Sequence, residues 1–290
     1  MSTQRPIIPE RSRTIGGFHV GRLLPFIHKK MVGPFIFIDH MGPEKLGPGK
    51  WIDIGMHPHV GLSTLTYLFE GVMEHRDSTG AVQQIEKGAV NWMTAGKGVT
   101  HTERTPEAFR QMEEMVFHGF QIWVALPKAF EDVEPSFFHL PEKEVPTWCH
   151  EDFNLRLVAG TWAGYTSSVP VYSPLYMVDI QVGETGGVLP FMQQTYGEWG
   201  LSVVQGGIET ESFEVHPGEM LVSEGESCQF IKALPGSRLL LFGGKPLDEP
   251  CFIRWNYVAS SEGRLNEASA RWKAKDFPEV PGESIWIPEP

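Results

Sequence analysis

Residues 55–103 read GMHPHVGLSTLTYLFEGVMEHRDSTGAVQQIEKGAVNWMTAGKGVTHTE. Gly55, Gly71 and Gly88, and the bend Thr94-Ala95-Gly96-Lys97-Gly98, cut this stretch into short pieces. The pieces are rich in Thr, aromatic and branched residues, as in Leu62–Phe69, which is the composition of strands rather than helices. His57-Pro58-His59 sits on one such piece. On an extended chain, residues i and i+2 face the same side, so both imidazoles can meet one ion. His101-Thr102-Glu103 repeats the spacing with a carboxylate in second place. Two such pairs on facing strands supply three neutral nitrogens and one carboxylate oxygen. That donor set suits Fe(II), Mn, Ni, Cu or Zn, and in an octahedral shell it leaves about two positions for water, O2 or substrate.

The same punctuation extends outward. The 31 glycines and 23 prolines among 290 residues recur too often for long helices. Further strand-like runs are Pro34–Asp39, Gly119–Leu126, Tyr176–Ile180 and Arg238–Phe242. One helix is predicted, over Glu262–Lys275, with Ser261 as N-cap and Leu265, Ala268 and Trp272 on its apolar face. The pattern is all-β with a helical tail. The length allows two domains. The halves show a similar rhythm: Leu68-Phe69-Glu70-Gly71 then Glu86-Lys87-Gly88 in one, Val203-Val204-Gln205-Gly206 then His216-Pro217-Gly218 in the other. The proline-bearing stretch from Pro135 to Phe153 divides them, giving expected domains 1–135 and 136–290. A net charge of −12 argues against direct contact with nucleic acid. No apolar run is long enough to span a membrane. The polar N-terminus lacks the apolar core of a secretory signal, so the expected location is cytoplasmic. Cys149, Cys228 and Cys251 are too scattered for a disulfide framework and are expected to be buried, inert thiols.

The phrases PFIFIDHMGP (34–43), HPHVGLSTLTYLFEG (57–71), NWMTAGKGVTHTE (91–103), HGFQIWVALP (118–127) and WNYVASS (255–261) resemble, in order, the landmarks of the pirin family of the cupin superfamily. The resemblance covers essentially the whole chain. It implies a bicupin: two jelly-roll-type β-barrels and a short C-terminal α-helix. It places one divalent transition metal in the N-terminal barrel on His57, His59, His101 and Glu103, with Fe(II) foremost and Mn, Ni, Cu, Co or Zn as alternatives. It also implies quercetin 2,3-dioxygenase activity, in which a small aromatic flavonol is opened by O2 and Glu103 serves as base. Asp39, Met73 and Gln121 then fall on segments that line the substrate pocket. A second reading from the same resemblance is a regulatory protein, whose metal redox state controls docking to a protein partner.

Two departures bear on these expectations. Cupins in general carry a Glu ligand shortly after the histidine pair, but Val60-Gly61-Leu62-Ser63-Thr64 contains no carboxylate. The Arg-Gly-Phe-Glu-Thr run of many pirins is missing from the same place, which removes two charges from beside the metal. Superposing Glu70-Gly71 on Gln205-Gly206 puts Met192 and Gln194 where His57 and His59 stand, so the C-terminal barrel is expected to hold no metal. His75 is expected in a loop after a strand, and His40 in a turn formed by Asp39-His40-Met41-Gly42.

Overall fold

The computed structural model describes residues 7–15, 17–223 and 230–290. The chain forms two compact units. One gathers residues 12–21, 36–143 and 247–290; the other gathers 1–11, 22–35 and 144–246. These are not the contiguous blocks 1–135 and 136–290 that the sequence suggests. Pairing explains one half of the exchange: the early strand Ile7–Pro9 lies antiparallel to Glu219–Val222. Apolar burial explains the other. Leu265, Ala268 and Trp272 of the helical tail share a core cluster with Met56 and Val60.

The first unit is built mainly from two sheets, with a two-stranded ribbon of Phe252–Arg254 and Tyr257–Ala259 besides. The larger has the strand order Ser136–Leu140, Val90–Thr94, Leu62–Glu70, Met115–Ala125, Phe35–Leu46, Phe18–Leu24, Arg11–Ile15. The smaller has the order Asp53–His59, Val99–Arg104, Val72–Asp77, Val82–Glu86. Every residue of Leu62–Glu70 but the last is buried, so both faces of this strand are covered. One face brings Leu68 into a cluster with Phe18, Met41, Met73, Ile85 and Phe117. Phe35–Leu46 runs on through the stretch where the sequence predicts a turn. Gly42 serves a different purpose: at φ +77°, a Cβ there would stand 2.1 Å from the Phe117 carbonyl oxygen. The glycine permits a close strand approach, and His40 is buried on a strand.

The second unit repeats the plan, with one eight-stranded and one four-stranded sheet. An apolar cluster including Phe153, Trp162, Tyr176, Trp199 and Leu241 forms its core. The architecture is therefore all-β, two cupin barrels with one C-terminal helix. The helix spans Glu262–Lys273, two residues short of the predicted end, because Lys275 takes a left-handed φ of +57°. Ser261 has the extended N-cap backbone but makes no side-chain capping bond. Cys149 is exposed and Cys251 partly so, both free, contrary to the expected burial; Cys149 lies on Thr147–His150, at the end of its sheet. Cys228 lies outside the described residues. No helix among the described residues is long and apolar enough to cross a membrane.

Candidate metal centre

Strand pairing assembles the centre. Asp53–His59 and Val99–Arg104 lie antiparallel, with His101 opposite His57. Ring centroids are 4.2 Å apart for His57 and His101, 4.9 Å for His59 and His101, and 5.2 Å for His57 and His59. One nitrogen from each lies within 4.8 Å of the other two. All three residues are buried, and burial pushes His57 down to about 4 and His59 and His101 well below the ordinary histidine value. Neutral imidazoles keep the lone pairs that a metal needs.

The opposite nitrogens are tied back. His57 Nδ1 is 2.8 Å from the Gly55 carbonyl oxygen, and His59 Nδ1 is 3.2 Å from that of Asn256. Each carbonyl accepts, which fixes the proton on Nδ1 and leaves Nε2 as the lone-pair nitrogen. His101 Nδ1 instead faces His75 Nδ1 at 3.3 Å. Its Nε2 is buried without a hydrogen-bond partner. A buried orphan nitrogen costs roughly 1–3 kcal/mol unless something outside the protein satisfies it. The donor set and the orphan both fit a divalent cation.

Glu103 lies on the same strand, but its carboxylate stands outside the three-histidine group. A register shift between His101 and Glu103 sets Glu103 opposite Ile54 and, on the other side, opposite His75. Burial pushes its carboxyl up to about 7, partly offset by a hydrogen bond from Gln121. Gln121 Oε1 accepts in turn from the Thr66 hydroxyl at 2.8 Å. Trp123 meets His59 edge-on at 4.9 Å and stacks on Phe37 at 4.0 Å.

Of the expected pocket residues, Gln121 joins Glu103, whereas Asp39 is buried on Phe35–Leu46 and is not among the grouped ligands. Met73 belongs to the apolar cluster, as ordinary core packing requires. His75 is not in a loop. It is buried on Val72–Asp77, stacks on Phe137 at 4.5 Å, and its Nε2 lies 2.9 Å from Asp77 Oδ2. The signal for this pair was present, because His75 and Asp77 are themselves an i, i+2 couple on one strand face. The Asn256 carbonyl had no signal, since backbone groups carry none. Met192 and Gln194 fall in a 3-10 turn, Pro190–Gln194, with Met192 packed against the apolar core of the second unit. Among the described residues that unit holds no comparable ligand group.

Fold and site together define a two-cupin protein with a buried three-histidine group in one barrel. The pirin family model matches residues 17–124, and the pirin C-terminal cupin domain model matches 177–278. A pirin-like protein of Caulobacter vibrioides is 44% identical over 290 residues, covering 98% of this chain and 99% of its own. A crystal structure of quercetin 2,3-dioxygenase from Acinetobacter baumannii superposes with a TM-score of 0.88 at 33% identity, over 98% of this chain and 94% of that one. A bacterial pirin of Escherichia coli, solved in complex with nickel(II), shares the fold: TM-score 0.64, 20% identity, 83% of this chain and 99% of that one. The chain belongs to the pirin family.

Proposed function

We propose that this protein is a metal-dependent dioxygenase of the quercetin 2,3-dioxygenase type, which opens a flavonol with O2 and releases CO. The observation that carries it is the buried triad, with its Nε2 lone pairs unprotonated and that of His101 unpartnered. The relative named quercetin 2,3-dioxygenase, alike over nearly the full length, supports the substrate class. His57, His59 and His101 would hold the metal, with Glu103 as a fourth ligand or as the base; Fe(II) is the proposed ion. A metal bound there would supply Lewis-acid activation of an oxygen substrate. The chain's own contribution is proton handling. The ionised form of Glu103 would accept the flavonol 3-hydroxyl proton, and burial, which raises this carboxyl to about 7, makes that carboxylate a stronger base than an ordinary glutamate. The Gln121 amide aims that carboxylate, and Thr66 holds the amide in place. Trp123 and Phe37 give an apolar, aromatic flank suited to a flat ring. Asp39 and Gln121 are the polar groups proposed to meet the substrate; Met73 is set aside because it packs in the core.

The test is an anaerobic metal analysis of the purified protein, then metal reconstitution and quercetin absorbance decay in air, with O2 uptake and CO release measured together. One bound metal and metal-dependent decay are expected, both lost in His101→Ala. A fully loaded protein that turns over no flavonol faster than free metal overturns the dioxygenase reading. It would favour redox-dependent docking to a protein partner.

A further inference from the structure

The three histidines differ in what holds them. His57 and His59 lean on neutral backbone carbonyls. His101 leans on His75, and His75 leans on Asp77. Asp77 is fully buried, and its Oδ1 accepts from the Thr79 amide at 2.8 Å, the Thr79 hydroxyl at 2.6 Å and the Ala81 amide at 3.2 Å. Hydrogen bonds from His75 and Thr79 hold its carboxyl below the ordinary aspartate value against the effect of burial. Oδ2 is left to accept from His75 Nε2 at 2.9 Å. The other ring nitrogen of His75, Nδ1, faces His101 Nδ1 at 3.3 Å, and His101 Nε2 has no protein partner.

We infer that His75 and Asp77 are positioning residues for the metal ligand His101, linking one imidazole of the centre to a buried negative charge. Carboxylate–histidine–metal arrangements orient the ligating ring, fix its tautomer and raise its basicity. Here a second imidazole is interposed, clamped flat against Phe137. The turn that follows Asp77 holds the far oxygen, so the carboxylate cannot rotate away. Among the three histidines, His101 is thereby the strongest donor to the ion.

This inference rests on the triad's holding a metal and is independent of the flavonol reaction. It is tested on the full-length protein, stripped of metal and titrated with Co(II) against a chromophoric chelator. Visible spectra of the Co(II) protein and thermal melts of the metal-free protein are recorded alongside. Asp77→Asn and His75→Gln are each expected to weaken Co(II) binding by roughly 10–100-fold. Both should move the ligand-field bands to longer wavelength, because a less basic imidazole gives a weaker field. Leu241→Ala supplies the comparison. Leu241 is buried in the apolar core of the other unit, outside this hydrogen-bond chain, so the variant should lower the melting temperature while keeping affinity within about twofold. His75→Gln carries the test alone if Asp77→Asn does not fold. Folded variants with wild-type affinity and spectrum would overturn the inference. So would an equal affinity loss in Leu241→Ala, which would make the effect merely structural. Wild-type protein that fails to bind Co(II) at all would instead overturn the metal reading beneath it.

Discussion

At the residue scale, the centre sets two opposed proton linkages against each other. His57, His59 and His101 are buried neutral, with His75 and Glu103 close by. Below about pH 6.5 the unfolded chain takes up protons that the folded chain refuses, so stability falls with pH. A drop from 6.5 to about 4 is worth roughly 3 kcal/mol for His57 alone. Glu103 works the other way: its folded carboxyl keeps its proton up to about 7, so its contribution is lost as pH rises from the unfolded value through 7. Three histidines outweigh one glutamate on the acid side. Urea melts of the metal-free protein should therefore show stability rising from pH 4.5 towards 6.5. Glu103→Gln should gain on wild type as pH rises from about 4.5 to 7 and hold that gain above it; parallel pH curves for the two would refute the assignment. The i, i+2 rule drew attention to the three grouped histidines in the sequence, yet the partners behind them were harder to see. His75 reaches His101 through the register of two strands, and register is a property of pairing, not of spacing.

At the scale of elements, the helical tail supports the strand that carries His57 and His59. Trp272 donates its indole N–H to the Ile287 carbonyl at 3.0 Å and packs in the cluster that contains Met56, one residue before His57. Trp272→Ala should cost about 3–5 kcal/mol by chemical denaturation. Gly61 is a second support. It sits at φ +69°, and a Cβ there would lie 1.9 Å from the Val258 carbonyl oxygen. Gly61→Ala must displace the segment carrying the Asn256 carbonyl that holds His59. We expect at least about 1–3 kcal/mol of lost stability, with weaker Co(II) binding in the same titration. The helix, the long strands and the Gly96–Gly98 bend were legible because composition and periodicity report local preference. The Asp39–Gly42 stretch was misread because a glycine needed for strand approach looks the same in sequence as one needed for a turn.

At the scale of the whole molecule, the chain crosses between its units more than once. Residues 247–290 complete the unit that carries the histidines, and residues 1–11 belong to the other. Contiguity is the default assumption of any linear reading, and nothing in composition marks an exchange. A fragment of residues 1–143 should therefore lack native near-UV circular dichroism and bind Co(II) weakly, and a version that also carries 247–290 through a flexible linker should recover both. Equal binding by the short fragment would show the tail to be dispensable. The Asn256 carbonyl, which holds the tautomer of His59, has a consequence for synthesis. Domains on a nascent chain generally fold as units, N-terminal first. Here His57 and His59 emerge with one of their supports still untranslated, so a polypeptide that stalls or is cut before residue 256 carries all three imidazoles without the carbonyl that orients one of them. Tight Co(II) binding would then report that synthesis had passed residue 256.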